Sequence, residues 1–97
     1  MTNYAKGARN EHRVMEWLQR EGYTALRMAG SHSLWDIAAY HPSQGWRVIQ
    51  VKTNRLPSPD ECTRLKLARV PTGTRKEIWV WKTRKDEPHI VRLENPA

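Results

Sequence analysis

Apolar residues recur three and four positions apart in the N-terminal part of the chain, and roughly every second position in several later segments. Val14, Met15 and Leu18 form a helical stripe, with Ala8 one turn ahead, in a segment rich in good helix formers that ends at Gly22. The spacing predicts a helix from Tyr4 or Ala8 to Glu21, its stripe toward the core. Tyr23 to Met28 alternates as a short strand. The small polar loop Ala29-Gly30-Ser31-His32-Ser33 follows, and Leu34 to Tyr40 reads as a second strand. His41-Pro42-Ser43-Gln44-Gly45 has the composition of a hairpin turn, and Trp46 to Thr53 is the most β-prone stretch of the chain. The second and third strands are therefore expected to pair antiparallel.

Ser58-Pro59-Asp60-Glu61 is a helix start: Ser58 as N-cap, Pro59 in the first turn, and Glu61 three residues after the cap. This helix is expected to run to about Arg69 and to end at Val70-Pro71-Thr72-Gly73. Glu77 to Lys82 and His89 to Leu93 read as two more strands joined by a charged turn. The expected order is α-β-β-β-α-β-β, an α/β (α+β) arrangement without repeats. A length of 97 residues fits one domain spanning 1–97.

Charge narrows the partners. A net charge of +7 and a pI of about 10.1 favour polyanions, and nucleic acid is the expected one. No stretch of about 18 apolar residues offers a membrane span, so no membrane partner is expected. Cys62 is the single cysteine, which excludes an intramolecular disulfide and suggests a reducing, cytoplasmic (intracellular) setting. The histidines and the cysteine lack ligand spacing, so zinc is not expected.

The candidate chemistry lies on the third strand. Side chains alternate along a strand, so Gln50 and Lys52 share one face while Ile49 and Val51 share the other. Asp36, on the strand expected to pair with it, can approach Gln50. A carboxylate, an amide oxygen and a backbone carbonyl, here that of Val51, are sufficient protein ligands for Mg2+, which favours oxygen and keeps several waters. Glu11 lies three, four and seven residues before Val14, Met15 and Leu18, which puts its carboxylate on the stripe expected to be buried, where a cation or donor must meet it. These residue types permit metal-assisted phosphodiester hydrolysis, with Lys52 orienting water or stabilising charge on the phosphate. Lys6, Arg9, Arg27 and Arg55 flank the motif and, with Ser31 and Ser33, are candidates for DNA contact. Tryptophans 17, 35, 46, 79 and 81 are expected in the core or a dimer interface, with Trp79 and Trp81 sharing one strand face as a candidate dimer surface.

The pattern Lys6-Gly7-x-x-x-Glu11, Arg27-Met28-Ala29-Gly30-Ser31, Asp36-Ile37-Ala38 and Gln50-Val51-Lys52 resembles the archaeal and phage Holliday-junction resolvases among the PD-(D/E)XK nucleases. The match covers roughly the first 55 residues. The resemblance implies a restriction-endonuclease-like mixed five-stranded sheet flanked by helices, a homodimer, a prokaryotic, archaeal or phage source, and a magnesium site (Mn2+ substituting) built by Glu11, Asp36, Gln50 and Lys52 with assistance from Ser31. Glu11 would bind metal directly or through water. Two positions depart from the pattern: Trp35 stands where the motif's proline would, and Gln50 where an acidic residue would, which removes a negative charge from the metal site. The expected activity is a structure-selective DNA endonuclease serving recombination and repair. The alternatives are a restriction, homing or nicking enzyme with the same site, and an inactive DNA-binding module on the same fold.

Overall fold

The computed structural model describes residues 3–28 and 34–94, with side chains from residue 7 onward. The elements are α1 (Asn3–Arg20), β1 (Thr24–Arg27), β2 (Ile37–His41), β3 (Gly45–Thr53), α2 (Pro59–Leu67), β4 (Arg75–Trp81) and β5 (His89–Leu93), in the expected order. They form a five-stranded sheet in the order β1-β2-β3-β4-β5. β3 and β4 are parallel and the other neighbours antiparallel, so the sheet is mixed and α2 is the crossover between the parallel strands.

The two helices cover opposite faces. Ile49 of β3 and Trp79 and Trp81 of β4 pack under Val14 and Leu18 of α1, whereas Val48, Ile78, Val80 and Leu93 pack with Leu65 of α2. Gln50 and Lys52 follow Val48 in alternation and so face α2. The Lys76 ammonium, on the same face of β4, donates to the Lys66 carbonyl at 2.6 Å and fixes the end of α2 against the sheet.

Two expectations are corrected here. Trp79 and Trp81 are 0% and 2% exposed, so they are core residues and form no dimer surface. A strand's alternation says which residues share a face but not what covers it. The buried stripe of α1 is Asn10, Val14 and Leu18, and Glu11 sits on its flank with a side chain 21% exposed. Three- and four-residue spacings both fit a helical face, and the structure centres that face one residue earlier. The polar Asn10 is accommodated because its Nδ2 donates to Thr53 Oγ1 at 2.7 Å, which ties α1 to the end of β3.

Candidate active site

Asp36 precedes β2 yet continues its pairing on both sides. Its carbonyl accepts from the Met28 N–H at 2.8 Å and its own N–H donates to the Ile49 carbonyl at 2.9 Å. With the backbone clamped between β1 and β3, the Asp36 Oδ2 accepts the Val51 N–H at 2.8 Å. In a strand the N–H and C=O of one residue point to the same side, so the Val51 carbonyl also points to the side of Asp36, beyond the last β2–β3 pair, Ile37–Ile49. The carboxylate and carbonyl expected as ligands thus lie on the same side of β3.

Burial raises the Asp36 pKa above its ordinary value, and the Val51 N–H opposes this. Glu11 raises it further, Lys52 lowers it, and Glu61 raises it again. Asp36 therefore feels three charged side chains from three different elements. Glu11 is paired with Arg27, its Oε1 accepting from Nε at 3.0 Å.

Gln50 is buried, and its Nε2 donates to the Leu34 carbonyl and to Glu61 Oε1, both at 3.2 Å. The Lys52 ammonium lies 3.2 Å from the same Glu61 oxygen. Sequence reasoning gave Glu61 only a capping role. Ser58 Oγ does accept the Glu61 N–H at 3.2 Å, but the Glu61 carboxylate turns to β3. The signal was the cap itself, which fixes Glu61 in the first turn of a helix crossing from β3; its reach to Gln50 and Lys52 depends on how α2 docks.

Beyond Lys52 a cleft of about 770 Å³ opens between the end of β3 and the start of α2, with Asn54, Arg55, Ser58 and Glu61 in its wall. It lies at the carboxyl end of the parallel pair β3–β4, where open α/β sheets place ligands. Arg55 and Arg9 are exposed. Ser31 and Ser33, and the side chain of Lys6, lie outside the described residues.

Among the described residues no three acidic, histidine or cysteine side chains converge as a metal-binding group. A cation here must also draw on neutral oxygens. Gln50 meets that requirement: its buried Oε1 has no hydrogen-bond donor among the described residues, which is costly for an amide oxygen out of water. By type, the Asp36 carboxylate, the Val51 carbonyl and the unsatisfied Gln50 amide oxygen are hard donors of the kind that Mg2+ or Mn2+ takes.

In sequence the chain matches no protein-family model and no curated protein. In structure it is similar to Hjc, a Holliday junction resolvase of the archaeal hyperthermophile Archaeoglobus fulgidus, with a TM-score of 0.68 and 24% identity over 91% of this chain and 71% of that one. The chain therefore has the fold of an archaeal Holliday-junction resolvase.

Proposed function

We propose that the protein is a divalent-metal-dependent DNA endonuclease selective for branched DNA, of the resolvase kind within the PD-(D/E)XK nucleases. The observation that supports this reading is that the Asp36 carboxylate reaches the Val51 N–H of β3, the strand on which one Glu61 oxygen holds Gln50 and Lys52. The residues that would hold the metal are Asp36, Gln50 and the Val51 carbonyl, with Glu11 direct or through water. Bound there, Mg2+ or Mn2+ would polarise a phosphoryl oxygen and lower the pKa of a water.

The remaining work falls to the chain's own groups. Asp36 keeps its carboxylate aimed by two backbone bonds and the Val51 N–H. The Lys52 ammonium, one residue further along β3, orients the attacking water and offsets charge that grows on the phosphate as water adds and the P–O bond breaks. Arg55 and Arg9, with Lys6, Arg27, Ser31 and Ser33, hold the DNA backbone. Two copies acting as a homodimer would nick opposed strands of a junction.

The test is incubation with four-way junctions, duplex, flaps and single strands in Mg2+. Preferential, paired nicking of junctions is expected, and equal cutting of plain duplex would overturn junction selectivity in favour of a restriction, homing or nicking enzyme. The uncharged Gln50 favours one further reading, an inactive DNA-binding module. It requires tight, salt-sensitive binding with no cleavage in either Mg2+ or Mn2+.

A further inference from the structure

Gln50 stands at the strand position where a second charged ligand would be expected, and it brings none. One carboxylate at Asp36 and neutral oxygens make a weak site for a divalent ion, since affinity rises with the number of charged ligands. The side chain aimed at this vacancy of charge comes from a different element. Glu61 Oε1 lies 3.2 Å from Gln50 Nε2 and 3.2 Å from Lys52 Nζ, so its carboxylate points to the place those two residues share rather than out to solvent.

We infer that Glu61 of α2 is the second carboxylate ligand of the metal site, supplying from the helix the negative charge that Gln50 does not supply from the strand. The inference rests on the nuclease reading above. Three independent features support it. Gln50 is 8% exposed and its Oε1 is without a donor among the described residues, an acceptor left for something other than protein to satisfy. Glu61 is fixed by construction: Ser58 caps the helix, Pro59 opens it, and the cap holds the Glu61 N–H. Lys76 anchors the far end of α2 to β4, so the helix that carries Glu61 is held against the sheet.

Glu61's present partners, an ammonium and an amide N–H, are cationic or donor groups that a carboxylate can exchange for a metal ion. As it stands the Gln50 Nε2 faces Glu61 and the Leu34 carbonyl; turning the amide over gives up those two bonds, leaves no Oε1 bond behind, and brings the unsatisfied oxygen beside Glu61 to serve the same ion. The site is then split between sheet and helix, with Asp36 and Gln50 on one side and Glu61 on the other.

The test is calorimetric titration of Mn2+ into the full chain and into Glu61→Gln, Gln50→Glu and the double variant Gln50→Glu/Glu61→Gln, each checked for folding by thermal unfolding in EDTA. Glu61→Gln should weaken Mn2+ binding by about tenfold or more, and the double variant should return to within a few-fold of the natural protein because the charge has moved back to the strand. Gln50→Glu alone should tighten binding. Unchanged affinity in Glu61→Gln, or no Mn2+ binding by the natural protein, overturns the inference. A purely structural Glu61, present to pair Lys52, predicts that unchanged affinity. Cleavage is scored separately: Mn2+ binding that depends on Glu61 without cutting of any DNA would overturn the nuclease reading and leave the ligand assignment standing. DNA cutting that survives Glu61→Gln with unaltered Mn2+ affinity would do the reverse.

Discussion

The Asp36 carboxylate accepts the Val51 N–H at 2.8 Å, one step beyond the last backbone bond between its own N–H and the Ile49 carbonyl. The Val51 bond only partly offsets burial, and the Asp36 pKa stays above the usual carboxylate value of 3.8. A raised folded-state pKa means that the native protein holds this proton more tightly than the unfolded chain. The stabilisation is complete below 3.8 and is lost as pH rises through the folded value. Asp36→Asn keeps an acceptor for the Val51 N–H and removes the charge. In EDTA the variant should be more stable than the natural protein at pH 7, and the gap should close on acidification toward 3.8. Adding Mg2+ should stabilise the natural protein and not the variant. Urea midpoints at a series of pH values, with and without metal, measure both effects.

Lys52 is paired with Glu61 at 3.2 Å and stands one residue beyond the strand position that faces Asp36. Lys52→Ala should lower junction cleavage by about a hundredfold or more, the scale for losing a group that meets developing charge. Binding should change only a few-fold, because one phosphate contact among many is lost. Single-turnover cleavage in Mg2+ beside gel-shift affinity in Ca2+ separates the two, and a parallel loss of both would place Lys52 in DNA binding instead.

The element order and the β2–β3 pairing were legible because the hairpin turn and the period-two alternation of Trp46 to Thr53 are local signals. The shared face of Gln50 and Lys52 and the approach of Asp36 to their strand were legible for the same reason, since one hairpin sets their spacing. Glu61 was not, because nothing local says that the first turn of α2 folds back onto the strand before it. Nor was the burial of Arg47, which depends on the parallel register that sets Ile49 of β3 opposite Glu77 of β4. Glu11 and Asn10 show the resolution limit of helical periodicity: the stripe was recognised, but its centre was placed one residue too late.

Asn54 follows β3 with a φ of 65°, a left-handed conformation that asparagine tolerates better than most residues. Its N–H donates to the Trp81 carbonyl at 2.9 Å, its Oδ1 accepts the Thr83 N–H at 2.8 Å, and its Nδ2 donates to Thr83 Oγ1 at 3.0 Å. These bonds pin the wall of the cleft to the turn after β4. Asn54→Ala loses the side-chain bonds and keeps the strained φ, so it should cost about 1–2 kcal/mol in urea unfolding. Asn54→Gly loses the same bonds without the strain and should be milder by about 1 kcal/mol. Equal costs for the two would show that the backbone is not held in this conformation.

Arg47 and Glu77 lie on the α1 face at the end of the sheet remote from the cleft. Arg47 Nε and its Nη2 reach the same Glu77 oxygen at 2.9 and 2.7 Å, and that oxygen also accepts from Trp79 Nε1 at 3.0 Å. The guanidinium lies 5.2 Å from the centroid of the Tyr23 ring and 5.4 Å from that of Trp79, so the charge is enclosed by aromatic surface. Removing Glu77 leaves the Arg47 guanidinium buried without its partner. Glu77→Leu alone should therefore destabilise by about 3–5 kcal/mol, a large share of the total for a chain of this size. Glu21, 4.0 Å from Arg47 and half exposed, can compensate only in part. The double variant Arg47→Met/Glu77→Leu removes both charges and should recover part of the loss, the remainder being the Trp79 Nε1–H left without its acceptor, with a coupling energy well above the scale of exposed pairs. Urea unfolding of the two single variants and the double one closes the cycle. Additive losses would mean that each side chain stabilises the sheet independently, and the ion pair would then not be the reason for its burial.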